Sequence, residues 1–256
     1  MSWLTFLILF ITALNTTAAS EIQKMPVNFI QLSQDFLYAA RTGENVKTYL
    51  DTLASAEEKQ LSDQLENDHK RLAFWLNIYN GFTQVLLKDN PDKYTSRGAF
   101  FSDKQIRIAN QQLSLDMIEH GLMRRSKIKW GLGYLNKFFP SRFEKIFRFD
   151  KLDSRIHFAL NCGAKSCPPI AFYEAENIDS QLELAMQTYL ADEIELDTIN
   201  NIVKLPAIMG WFRGDFGGKK EMLNLLKKNN LINSEMFPKI EFKEYDWTLF
   251  LNNYKT

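Results

Sequence analysis

Proline and glycine are sparse in this chain, with 7 and 11 among 256 residues, and that scarcity argues against a disordered or low-complexity protein. Charge of one sign is missing as well. Thirty-one Lys and Arg balance thirty-one Asp and Glu, with no long run of either, which excludes an electrostatic nucleic-acid binder with its usual basic stripe. Long apolar runs are absent beyond the N-terminus, so nothing after residue 14 approaches the roughly 20 residues of a spanning helix. No internal repeat is visible. Cysteine is scarcest of all: Cys162 and Cys167 are the only two, five positions apart, and in an oxidising compartment such a pair is first a candidate disulfide.

What is present begins with Trp3 to Leu14, an apolar run followed by the small polar stretch Asn15 to Ser20. Its length suits the core of a signal peptide, with a small-x-small cleavage site at Thr17-Ala18-Ala19, although no Lys or Arg precedes it. The reading is a leader over residues 1–19 and one globular domain over 20–256, exported to the periplasm or secreted, with no membrane span after cleavage. An uncleaved N-terminal anchor is the rival. Twenty Phe, nine Tyr and five Trp supply a large aromatic core.

Along the chain, Met25 to Leu65 reads as two amphipathic helices. Asp68 to Leu87 is apolar nearly all round, as a buried helix is. Lys104 to Ala109 alternates like a strand, and Ser114 is placed to cap a helix through Arg125. Lys127 to Phe149 is aromatic and basic, helix and loop. Asp153 to Cys162 alternates, Asp179 opens a helix through Ala191, and Glu193 to Lys204 reads as a hairpin turning at Asn200-Asn201. Another helix follows Gly217-Gly218. The fold class is therefore α+β: a mostly helical single domain with a small antiparallel sheet.

Candidate chemistry concentrates in Asp153-Ser-Arg155-Ile-His157-Phe-Ala159-Leu-Asn161-Cys162. As a strand it would turn Ile156, Phe158, Leu160 and Cys162 to the core, and Asp153, Arg155, His157 and Asn161 to a cleft or to solvent. Gly163 frees a sharp turn, leaving Cys162 at a strand end beside a loop. A reactive thiol needs a base or a positive neighbour. His157 has the wrong strand parity to serve Cys162 unless the strand bulges; His120, with Asp116 one turn before it and Glu119 adjacent, is the other partner. His69 reads as surface. A zinc site from Cys162, Cys167, His120 and His157 matches no standard spacing, so neither metal nor other cofactor is expected. Asn77, Asn80 and Gln84 share one helix face. They either satisfy loop backbone inside the core, the preferred reading, or line a pocket.

Three stretches carry a resemblance: Arg71 to Asn80, Ser114 to Gly121, and Arg155 to Pro168. With Asp215-Phe216 and Tyr245-Asp246-Trp247 they make the chain similar to the family catalogued as domain of unknown function 547, over roughly residues 65–254. The resemblance implies an exported bacterial member. Eukaryotic relatives without the second cysteine would make the disulfide dispensable and shift the weight to Cys162. A buried helix followed by a His-bearing strand also resembles a papain- or transglutaminase-like order.

Two functions are weighed. The leading one is a thiol-dependent hydrolase or acyl transferase with Cys162 as nucleophile, and His157 or His120 as base beside Glu119. Asn77, Asn80, Arg155 and Asn161 would bind an unidentified small-molecule or peptide ligand. The alternative is a non-catalytic binding or envelope-associated module with Cys162 and Cys167 bridged.

Overall fold

The computed structural model describes residues 27–255, so the leader expected at 1–19 lies outside the described residues. Helix predominates, with two small sheets, and the α+β class holds. Helix α1 (Phe29–Thr42) starts at Asn28, whose side chain accepts the Gln31 N–H, and stops at Gly43 in the left-handed region. Helices α2 (Lys47–Ala54) and α3 (Glu58–Gln64) follow, one more than the sequence suggested before residue 65. Helix α4 (Asp68–Asp89) is capped by Asn67 and enclosed from Leu72 through Gln84. It packs along α1, and Gly81 permits the close approach: a Cβ there would stand 2.4 Å from the Phe36 ring.

The polar stripe of α4 is a set of clamps. The Asn77 carboxamide exchanges two hydrogen bonds with the Tyr173 backbone, and Asn80 bonds the Ala159 carbonyl and the Asn161 N–H. Gln84 accepts from the Asn252 N–H. Asn77 and Asn80 are thereby satisfied by loops that would otherwise carry orphan backbone groups, while Gln84 uses only its oxygen and leaves a buried Nε2 without a partner.

Helix α5 (Arg97–Ser102) precedes a hairpin of β1 (Ile106–Ile108) and β2 (Gln111–Leu113), which turns on Ala109 and Asn110, both with positive φ. After it come α6 (Arg142–Phe147), α7 (Ile178–Glu193), β3 (Glu195–Asp197), β4 (Ile202–Leu205), α8 (Ala207–Trp211), α9 (Gly218–Lys228) and β5 (Lys239–Phe242). Strand β4 is central, antiparallel to β3 and parallel to β5, with Val203 against Ile240. One apolar core surrounds α4; a second lies among α7, the β3–β5 sheet, α8 and α9.

Two local expectations fail. Asp153 to Cys162 is not a strand: Ser154–Phe158 is a 3₁₀ helix, begun by the Asp153 side chain accepting the Arg155 N–H. The alternating faces dissolve, since Ile156, His157 and Phe158 are all buried, and the parity objection to His157 lapses with them. So does the papain- or transglutaminase-like order, which rested on that strand. Met117–Met123, read as ordinary helix, is a π-helix, with Ser114 accepting the Met117 N–H at its entrance.

Candidate active site

Where the two cores meet, a cavity of about 290 Å³ opens. Tyr79 of α4, Asp116 at the start of the π-helix with Glu119 and His120 from within it, His157, Cys162, the end of α8 with Phe212, and Tyr245 and Trp247 line it. A π-helix widens the backbone turn and is frequent at functional sites. Here it brings Asp116, Glu119 and His120 to the cavity and sends Arg124 behind it.

Behind the wall lies a fully buried ion cluster. Asp215 Oδ2 accepts from Arg124 Nε at 2.6 Å and from His157 Nε2 at 2.9 Å. Burial alone would raise the Asp215 pKa, but these two hydrogen bonds outweigh it and hold the carboxyl below its ordinary value. An ionised Asp215 fixes the His157 tautomer: the proton sits on Nε2, and Nδ1 keeps a lone pair. Burial depresses the His157 pKa against the pull of Asp215, so the ring is neutral at pH 7. It stacks flat on Phe212, ring centres 4.1 Å apart, while the Arg124 guanidinium lies 4.3 Å from the same ring.

Arg124 also donates from Nη1 to His120 Nδ1 at 3.0 Å. A guanidinium has no acceptor, so His120 carries its proton on Nε2, which faces Asp116 at 3.6 Å. Burial, then the Arg124 charge, pushes the His120 pKa well down. With its one lone pair occupied, His120 is a neutral donor and not a base. Glu119 is enclosed beside it, and burial raises its pKa to about 7 against the opposing charge of Arg124. Tyr79 hydroxyl stands 3.3 Å from Glu119 Oε2, and Lys129 neutralises Asp116 at 2.8 Å.

Cys162 and Cys167 are free thiols. The Tyr245 hydroxyl reaches both sulfurs, at 3.3 and 3.2 Å, and the Cys162 N–H donates to the Cys167 sulfur at 3.0 Å. A hydrogen bond from the Cys167 thiol, helped by Tyr245 and opposed by burial, draws the Cys162 pKa to about 7. Burial raises that of Cys167. The pair is thus polarised: one thiol gives up its proton readily, the other keeps it.

Of the residues singled out in the sequence, Cys162, His157, His120 and Glu119 converge on the cavity. Neither imidazole hydrogen-bonds the Cys162 sulfur. Asn77, Asn80 and Asn161 are absent from the lining. The last braces the cysteine loop, bonding the Pro168 carbonyl and the Gly163 N–H. Arg155 is also elsewhere, in an ion network with Asp153 and Asp179 that ties the 3₁₀ turn to α7, and it meets neither Glu119 nor the cavity. His69 is exposed and joins the same network through Asp179. Asp215, Arg124 and Tyr245 were not identified as site residues. Among the described residues no group of three or more His, Cys, Asp or Glu side chains is disposed to hold a metal ion.

Residues 62–190 match the family described as "Protein of unknown function, DUF547", and the chain belongs to it. That stretch contains Tyr79, the π-helical segment and both cysteines, but stops short of Asp215 and Tyr245. No curated protein and no solved structure matches the chain.

Proposed function

We propose that this chain is a cysteine-dependent hydrolase or acyl transferase, exported from the cytoplasm, with Cys162 as nucleophile and His157 as general base oriented by Asp215. The observation that carries this reading is the meeting, in one cavity, of a thiol with its pKa drawn to about 7 and an imidazole anchored on a buried carboxylate. Such a nucleophile, base and orienting acid make the recurring triad arrangement. In an unliganded site the base need not yet touch the thiol, since catalytic hydrogen bonds often close only around substrate or through one water.

The chemistry balances simply. The Cys162 thiolate attacks an acyl carbonyl carbon, forming an S–C bond. His157 Nδ1, having taken the thiol proton, returns it to the departing alcohol or amine as the C–O or C–N bond breaks. Water or an acceptor nucleophile then attacks the thioester, delivering acid or transferred acyl group and restoring the thiol. His120 Nε2–H and the protonated Glu119 supply hydrogen bonds to a developing oxyanion. The aromatic walls favour an acyl group with an apolar portion.

Alkylation of the native protein by iodoacetamide tests this. The rate should titrate with a midpoint near 7 and vanish in Cys162→Ala. In Cys167→Ala it should persist with a midpoint raised toward the ordinary thiol value of about 8.5, because the main stabilising hydrogen bond is gone. A p-nitrophenyl ester should give a burst of p-nitrophenol that Cys162→Ala abolishes. Two unreactive, bridged cysteines would overturn the reading and favour a non-catalytic binding module.

A further inference from the structure

The apolar surface least suited to water lies beside the cavity. Trp130, Leu132, Tyr134, Leu135, Phe138 and Phe139 project from one loop, and Phe138 and Phe139 are 88% and 95% exposed. The loop is built. Its base is a bridge between Lys127 and Asn136, and Ile128 and Leu135 are joined through the backbone. Gly133 seats it against Asp215, where a Cβ would come within 2.6 Å of the Asp215 backbone N, and the Gly214 N–H bonds the Leu132 carbonyl. The loop backbone is thus fixed from below while its rings face outward. Soluble surfaces rarely carry contiguous apolar patches without a partner.

Charge says what that partner is. From His120 to Phe143 a chain of zero formal charge carries six Lys and Arg and no carboxylate. Lys129, Lys137 and Arg142 are paired internally. Arg125 and Lys127 have no carboxylate partner among the described residues; with Lys151 they line a second cavity of about 350 Å³ at the foot of the loop. The two carboxylates also there are engaged elsewhere, Asp150 by Arg71 and Asp215 by Arg124 and His157. Protruding Trp, Tyr and Phe above unpaired cations match a bilayer surface, with rings at acyl-chain level and cations at the phosphates.

We propose that the loop from Trp130 to Phe139, with the cavity of Arg125, Lys127 and Lys151, docks on an anionic phospholipid bilayer. This rests on the surface alone and stands whether or not Cys162 is a nucleophile. Hydrogen exchange of the full chain, with and without vesicles, tests it. Mixed phosphatidylcholine–phosphatidylglycerol vesicles should slow exchange across residues 127–140, and pure phosphatidylcholine should do so far less. The double substitution Phe138→Ser, Phe139→Ser should weaken vesicle binding about tenfold or more with melting unchanged. Arg125→Glu with Lys127→Glu should remove the preference for the anionic lipid. Protection confined to residues before 27 would overturn the proposal. So would loop protection without vesicles that grows with protein concentration, the mark of a second copy on the patch.

Discussion

Replacing Asn80 by Leu keeps the branched outline of the side chain and deletes two buried hydrogen bonds, to the Ala159 carbonyl and the Asn161 N–H. Both backbone groups lie in the interior, shut off from bulk solvent. Each orphaned group costs about 1–3 kcal/mol, so the variant should lose about 2–6 kcal/mol. In a chain of this size each kcal/mol lowers Tm by about 2–4 °C, which puts the fall at about 4–24 °C. Gln84→Leu is the internal control. It forfeits a single bond, from Asn252 N–H, and also removes a buried Nε2 that has no partner, so its cost should be well under half as large. Thermal melts followed by circular dichroism, with urea titrations to check the slope, read both. Asn161 adjoins Cys162, so Asn80→Leu should also slow thiol alkylation at 25 °C, where the fold persists. Melting of Asn80→Leu within about 2 °C of the parent, or equal losses in the two variants, would refute the clamp reasoning.

Glu119→Gln should reshape the pH dependence of stability. The folded chain keeps the Glu119 proton up to about 7, whereas an unfolded glutamate releases it near 4.3, so the wild type loses about 4 kcal/mol from this group as pH rises between them. His120 and His157, both depressed, act in the opposite sense: their contribution is present above about pH 6.5 and fades on acidification. Without Glu119 to offset them, Tm of the variant should fall steadily below about pH 6.5, and profiles parallel to the wild type over that range would contradict this. Asp215→Asn leaves the Arg124 guanidinium buried without its carboxylate and should cost about 3–5 kcal/mol while abolishing the p-nitrophenol burst; wild-type melting of that variant would mean that the ion cluster is not buried.

The buried helix was legible because aromatic and aliphatic residues surround it while three amides keep a spacing of three and four. That combination has few other meanings. The segment after Asp153 was misread because alternation in Arg155-Ile-His157-Phe is real, yet Asp153 competes for the backbone and opens a 3₁₀ turn instead. Periodicity does not register such a bond. Cys162, His157, His120 and Glu119 were found by residue type and by proximity in sequence. Asp215 meets His157 across 58 positions and Arg124 across 91, so no local spacing announces it. Its only trace in the sequence was its place in the family resemblance, as for Tyr245. Arg155, by contrast, looked functional because polar types crowded around it, and the ion pairs they make with one another explain the crowding.

The clamps on α4 also set an order of assembly. Asn77, Asn80 and Gln84 take up segments 96, 79 to 81 and 168 residues later, so the helix emerges from synthesis long before the loops that satisfy it. Contacts of that span are slow to form and leave early intermediates incomplete. The thiol pair waits for Tyr245 and His157 waits for Asp215, both from the last quarter of the chain. A nascent or C-terminally truncated chain therefore holds Cys162 and Cys167 together but lacks the Tyr245 hydroxyl that reaches both sulfurs and the Asp215 carboxylate that orients His157.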